Sequence, residues 1–191
     1  MVPSAQTCYQ LIEEMGMLDH IVSHSEQVCR VALCLTDRLD GRFSALDRHL
    51  VIASALLHDI TKTRSFETGE NHALTGEQLL KERGYPEVGR VVGRHVHIPA
   101  GDLLQVPDEA QIVNYADKRV LHDEVVSLER RMHYIVERYG RTAEHRQRIM
   151  SLWEQSRMLE KRLFTHIDFA PEVLRAHLGP WQRPAPLNGG R

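Results

Sequence analysis

The chain has no apolar run long enough to cross a membrane. Its longest uncharged one, Leu50 to Leu57, falls far short of the ~18 residues a span needs. No basic-then-apolar segment opens the N-terminus, so export is not expected and the cytoplasm is the expected location. An excess of either charge is nearly missing: 24 Lys and Arg stand against 26 Asp and Glu, a net −2, which argues against a protein that coats nucleic-acid backbones. Cysteine is scarce. Cys8, Cys29 and Cys34 are odd in number and show no CxxC spacing, so reduced, buried thiols are expected. Internal repeats, low-complexity tracts and alternating strand patterns are missing as well. What is present is a 42% hydrophobic composition, enough for a core in one domain, and 12 histidines.

Apolar residues recur at helical spacing. Leu18, Ile21, Val22, Ser25, Val28, Cys29, Ala32, Leu35 and Leu39 form one stripe, stopped by Gly41. A second helix is expected over 46–58; its middle, Leu50 to Leu57, is apolar nearly all round, as in a helix surrounded by others. A third runs from about Asn71 to Arg83, with Gly84 and Pro86 as stop signals, a fourth from about Pro86 to His97, and a fifth from about Asp108 to Leu121. Two longer amphipathic helices follow, one carrying Val125, Leu128, Met132, Ile135, Val136 and Tyr139, the other Ile149, Leu152, Trp153, Ser156, Leu159 and Leu163. Residues 129–162 hold nine Lys and Arg against five Glu, which reads first as the solvated outer faces of packed helices. The expectation is a single all-α domain over 1–179 and a loose tail over 180–191.

The functional signal lies in polar residues on apolar stripes. His24 falls in line with Ile21, Val28, Val31 and Leu35; His58 and Asp59 end the most apolar helix; His95 continues the stripe of Val88, Val91 and Val92; Asp117 lies beside Val113, Ala116, Val120 and Leu121. A buried carboxylate is costly unless paired or bound to a metal, and Lys62 and Arg64 are the only cations close to this pair in sequence. A second His-Asp pair, His122-Asp123, sits at a helix junction and reads as exposed. Neutral imidazoles with two carboxylates are metal-ligand chemistry, suited to Mn, Fe, Co, Ni or Zn, or to Mg where oxygen donors dominate. No cysteine joins the set, which disfavours a structural zinc site. His72 opens a helix, where the positive helix end favours the neutral imidazole, and is a further candidate ligand; His97 faces away from the stripe and ranks below His95.

An isolated His, an adjacent His-Asp pair and a distant Asp, all on helices, resemble the signature of the HD superfamily of metal-dependent phosphohydrolases. The matching residues are His24, His58-Asp59 in Ala55-Leu56-Leu57-His58-Asp59-Ile60-Thr61-Lys62, and Asp117, over about residues 18–121. His72 and His95 fall where many members carry extra ligands for a second metal, an arrangement that looks most like the branch containing bacterial diadenosine tetraphosphate hydrolases. Thr61 stands where the family usually has Gly. Gly84-Tyr85-Pro86 precedes His95 and reads as a helix stop. The fold the resemblance implies is an HD-type helical bundle with additional helices over about 124–178.

The implied reaction is hydrolysis of a phosphate ester or anhydride, with one or two divalent ions activating water. In the two-ion form Asp59 bridges, His24, His58 and Asp117 complete one site, and His72 and His95 bind the other. Lys62, one turn beyond His58, is placed to meet phosphate charge in catalysis and binding, and Lys118 and Arg119 are substrate-binding candidates by the same reasoning. A small phosphorylated substrate, a nucleotide, is expected, with nucleic acid and membrane not expected as partners. Two alternatives stand beside it: a non-catalytic regulatory module that binds a nucleotide or protein, and an RNA-end phosphodiesterase using 129–162 as its electrostatic face.

Overall fold

A computed structural model describes residues 1–39, 41, 46–99, 101–102 and 106–184. Its helices are α1 (Ala5–Glu14), α2 (Asp19–Leu39), α3 (Arg48–Leu57), α4 (Lys62–Thr68), α5 (His72–Glu82), α6 (Pro86–Gly93), α7 (Glu109–Lys118), α8 (Leu128–Tyr139) and α9 (Ala143–Phe164), followed by a 3₁₀ helix over Pro171–His177. The architecture is all-α. Among the described residues no helix is long and apolar enough to cross a membrane.

The apolar helix α3 is the hub. It packs on α1, α2, α6 and α7, and Val51, Ala53, Ala55, Leu56 and Leu57 are fully buried. Asp47 caps it by accepting the N–H groups of His49 and Leu50. The same device starts α5, where Asn71 accepts from Ala73 and Leu74 and so leaves His72 as the first helical residue.

Helices α5 and α6 approach closely through glycine. A methyl group on Gly89 would stand 2.7 Å from the Glu77 carbonyl oxygen, a backbone atom that cannot swing away. On Gly93 it would collide first with the movable carboxylate end of the Glu77 side chain, with the Glu77 Cβ at 3.3 Å. Gly89→Ala is therefore expected to lower stability by about 1–3 kcal/mol, and Gly93→Ala by clearly less, as read by urea denaturation.

Several expectations are corrected. The fourth helix stops at Gly93 rather than His97, because the N–H groups of Arg94 and His95 bond back to Val91 and Val92 while tertiary partners capture the next residues. Asn114 Nδ2 donates to the carbonyls of Arg94 and His95, and Arg94 pairs with Asp102 and Asp108. The fifth helix ends at Lys118; beyond it lies a two-stranded antiparallel hairpin, β1 (Val120–Leu121) and β2 (Glu124–Val125), where no strand is expected. Helices α1 and α4 and the 3₁₀ helix are short segments without a long apolar stripe. The segment from Pro180 is not loose throughout: Trp181 Nε1 donates to the Tyr9 hydroxyl and Arg183 pairs with Glu26. Residues 185–191 of the expected tail lie outside the described residues.

Candidate metal centre

Five segments of the chain bring the ionisable residues together. Helix α2 carries His24, the turn after α3 carries His58 and Asp59, α5 and the turn after α6 carry His72 and His95, and α7 carries Asp117. His58, Asp59, His95 and His24 are all buried.

Three of the imidazoles have their tautomer set by backbone carbonyls, which can only accept. His24 Nδ1 donates to the His122 carbonyl at 2.7 Å, His58 Nδ1 to Ala55 at 2.8 Å, and His95 Nδ1 to Val92 at 2.7 Å. In a neutral ring the other nitrogen, Nε2, then presents a lone pair. These Nε2 atoms point at one another and at carboxylates. His24 Nε2 is 3.0 Å and His58 Nε2 3.8 Å from Asp117 Oδ1. His58 Nε2 is 3.5 Å from Asp59 Oδ2, and His72 and His95 Nε2 are 3.1 and 3.7 Å from Asp59 Oδ1. His72 and His95 Nε2 lie 3.2 Å apart.

Converging lone pairs repel unless a proton or a cation sits among them. His58 Nε2 and Asp59 Oδ1 are buried and have no hydrogen-bond partner, a costly state for both. Ligand atoms from His24, His58 and Asp59, and again from Asp59, His72 and His95, fall within 4.8 Å of one another, so Asp59 is common to two groups. The donor set fits divalent ions, and the carbonyl bonds at Nδ1 are the outer support that metal-binding histidines have.

The protonation states agree. Burial raises the cost of ionising Asp59, but His58, the adjacent His72 ring, Lys62 and His95 outweigh it and hold the carboxyl well below its usual range. Asp117 is held down in the same way against its burial, by His24, Arg131 and His58. Burial pushes His58 down and, with the charge of His58 added, His95 down to about 3. For His24 burial opposes the charged ring, yet the bond to Asp117 and the charges of Asp117 and Asp59 prevail and raise it. A proton thus competes for the place a cation would take.

The remaining candidates separate. Lys62 lies at the centre, its Nζ 3.3 Å from His72 Nε2 and 3.7 Å from Asp59 Oδ1. Lys118 borders the same cleft, but its buried ammonium donates to the carbonyls of His95 and Asn114, and desolvation lowers it to about 8. Arg119 points away: its guanidinium donates to Val126 O, Pro171 O, Glu160 and the Tyr115 hydroxyl, so it joins α7 to α9 and the chain beyond it. The expectation that it contacts substrate is corrected; adjacency to Asp117 does not place neighbouring helical side chains on one face. Arg119→Ala is expected to cost about 3 kcal/mol by stranding buried acceptors and Glu160, with metal content per folded chain unchanged by elemental analysis.

His97 is exposed and does not border the cleft. His122 does, and its backbone is the only non-glycine among the described residues with positive φ, 55°. That conformation turns the His122 carbonyl toward His24, a role that no side-chain pattern announces. Thr61 has one too: its hydroxyl donates to the carbonyl of His72 and lies 2.9 Å from the Thr75 hydroxyl, anchoring the start of α5. Arg131, on α8, was not among the expected residues; its guanidinium is 4.0 Å from Asp117 Oδ1.

Above the cluster lies a cleft of about 560 Å³, within the ~300–1,000 Å³ range of small-molecule sites. Histidines, Asp59, Asp117 and Lys62 line its polar part, and α8 and α9 supply an apolar wall including Met132, Ile135, Ile149 and Leu152.

This chain is similar to several known proteins. A tRNA (cytidine(56)-2'-O)-methyltransferase of Picrophilus torridus is 29% identical, over 69% of this chain and 40% of the relative. The protein of that name from Thermoplasma volcanium is 26% identical, over 67% and 40%. An uncharacterized protein of Methanocaldococcus jannaschii is 28% identical, over 56% of this chain and 74% of its own. This chain spans about two-fifths of the length of the first two. No solved structure matches it. The model of the HD domain matches residues 21–120, a stretch that holds His24, His58, Asp59, His72, His95 and Asp117, and the chain belongs to the HD domain family.

Proposed function

We propose that this protein is a metal-dependent phosphohydrolase that cleaves a phosphate ester or anhydride bond of a small phosphorylated compound, a nucleotide by preference, and that His24, His58, Asp59, His72, His95 and Asp117 would hold two divalent ions. The observation that carries the reading is the convergence of tautomer-set imidazoles and two ionised carboxylates around a buried Asp59 Oδ1 that has no hydrogen-bond partner. Bound divalent ions supply Lewis acidity, lowering the pKa of water and polarising a phosphoryl oxygen. The chain's own part is positioning. Asp59 and Asp117 offset the positive charge, the carbonyls of His122, Ala55 and Val92 keep the rings aimed, and Lys62 meets charge that develops on the phosphoryl group. The free, buried cysteines support a reducing compartment, the cytoplasm.

Methyl transfer is the named activity of two relatives, but this chain spans two-fifths of their length. Its own donor set supports hydrolysis. Elemental analysis of the metal-saturated protein is expected to give two ions per chain, and added Mn, Fe, Co, Ni, Zn or Mg to drive phosphate release from nucleotides. Metal binding without release from any nucleotide would instead favour a regulatory module.

Two relatives are named for tRNA, which favours contact with RNA as a second reading, so the expectation that nucleic acid is not a partner is not carried forward. The basic residues of 129–162 would then meet the backbone. Affinity for a short RNA falling steeply with salt, by a slope of about −0.7 per phosphate contacted, would support that reading, and no measurable binding would dismiss it.

A further inference from the structure

The stretch matched to the family ends at residue 120, yet α8, which starts beyond it, closes one side of the cleft. Arg131, Tyr134, Ile135 and Tyr139 border the cleft from this helix, at the three- and four-residue spacing of a single face. Two chemistries follow one another along that face. At its inner end Arg131 stands beside Asp117, and its Nε is buried with no hydrogen-bond partner. An unpaired guanidinium N–H next to a metal-ligand cluster suits an anionic oxygen, above all one of a phosphoryl group. Farther out the face turns aromatic. Tyr134 meets the His122 ring edge to face at 5.4 Å, and Tyr139 is 56% exposed; Phe66 of α4, 60% exposed, also borders the cleft. Large rings left open to water beside a polar centre gain by covering a flat partner.

Resting on the phosphohydrolase reading, we propose that α8 is the element that selects the substrate: Arg131 takes an anionic phosphoryl oxygen, and the Tyr134–Tyr139 face with Phe66 holds a planar ring. The preferred substrate class is the phosphate ester of a ring-bearing alcohol, such as a nucleoside, over a small aliphatic one.

Binding is measured by calorimetry on the metal-loaded protein with three probes: inorganic phosphate, glycerol 3-phosphate and adenosine 5'-monophosphate. The nucleotide is expected to bind about tenfold or more tighter than glycerol 3-phosphate, the scale of one base–aromatic contact. Tyr134→Ala should remove most of that preference and leave phosphate affinity within about twofold, while Arg131→Gln weakens all three alike and Arg131→Lys restores part. In turnover, Tyr134→Ala should raise KM for the nucleotide at nearly unchanged kcat. Equal wild-type affinity for the nucleotide and glycerol 3-phosphate, or a Tyr134→Ala loss common to all three probes, overturns the proposal and leaves hydrolysis standing. Ring preference without phosphate release from any probe overturns the hydrolase reading and leaves the selective face. The wild-type comparison decides the matter even if a variant fails to fold.

Discussion

Asp59→Ala is expected to abolish phosphate release and to remove both metal ions together. Its carboxylate is common to the two ligand groups, 3.5 Å from His58 Nε2 on one side and 3.1 and 3.7 Å from His72 and His95 Nε2 on the other. Without it two cations would face each other with their shared negative charge gone, so raising the metal concentration should rescue little. Stability provides an independent reading. A ligand that binds only the native state adds RT ln(1 + [L]/Kd), about 2.7 kcal/mol at 100 times Kd. Wild type should therefore melt higher as metal is added, and the variant should not. Full metal content together with full phosphate release in Asp59→Ala would sink the assignment of this site.

Replacing His72 and His95 together should lower the metal content from two ions to one. His24, His58 and Asp117 keep their mutual contacts in that variant, since His24 and His58 are held by carbonyls of His122 and Ala55 rather than by α5 or α6. If the second ion contributes even ~3 kcal/mol to the transition state, kcat falls about a hundredfold or more. A plasma-emission metal count paired with steady-state kinetics separates the outcomes. A count of one ion in wild type that is unchanged in the variant would remove both histidines from the site.

How far this centre was legible in the sequence depends on what each residue owes to its neighbours along the chain. His24 and Asp117 stand out because a polar group on an apolar stripe must find a partner, and here they find each other at 3.0 Å. His58 and Asp59 are marked by the apolar helix they end. His72 is marked by the Asn71 cap, whose helical start the geometry of α5 repeats. His95 followed from its stripe even though the helix stops two residues earlier, because the turn after Gly93 keeps its ring inward through the bond to Val92.

Other features could not be read this way. The bond from His24 to the His122 carbonyl spans nearly the whole matched domain and depends on a backbone angle in a hairpin that has only two residues per strand. Thr61 holds α5 through a hydroxyl whose partner is a backbone atom of another helix. Arg131 and Arg119 show the limit most plainly. Both are arginines close in sequence to other cations, yet one borders the cleft and the other is spent on Glu160, Tyr115 and two carbonyls.

Helix class, the apolar hub at α3 and the identity of the six inward ionisable groups were set by the sequence itself, since periodicity and the cost of burying charge act on residues one at a time or at fixed spacing. The distances that bring ligand atoms together around Asp59, the tautomers of His24, His58 and His95, and the side of the cleft that α8 closes were decided only by the tertiary structure. Those properties depend on distances between elements, and a carbonyl or a cleft wall acquires its chemistry only when a distant helix is packed against it.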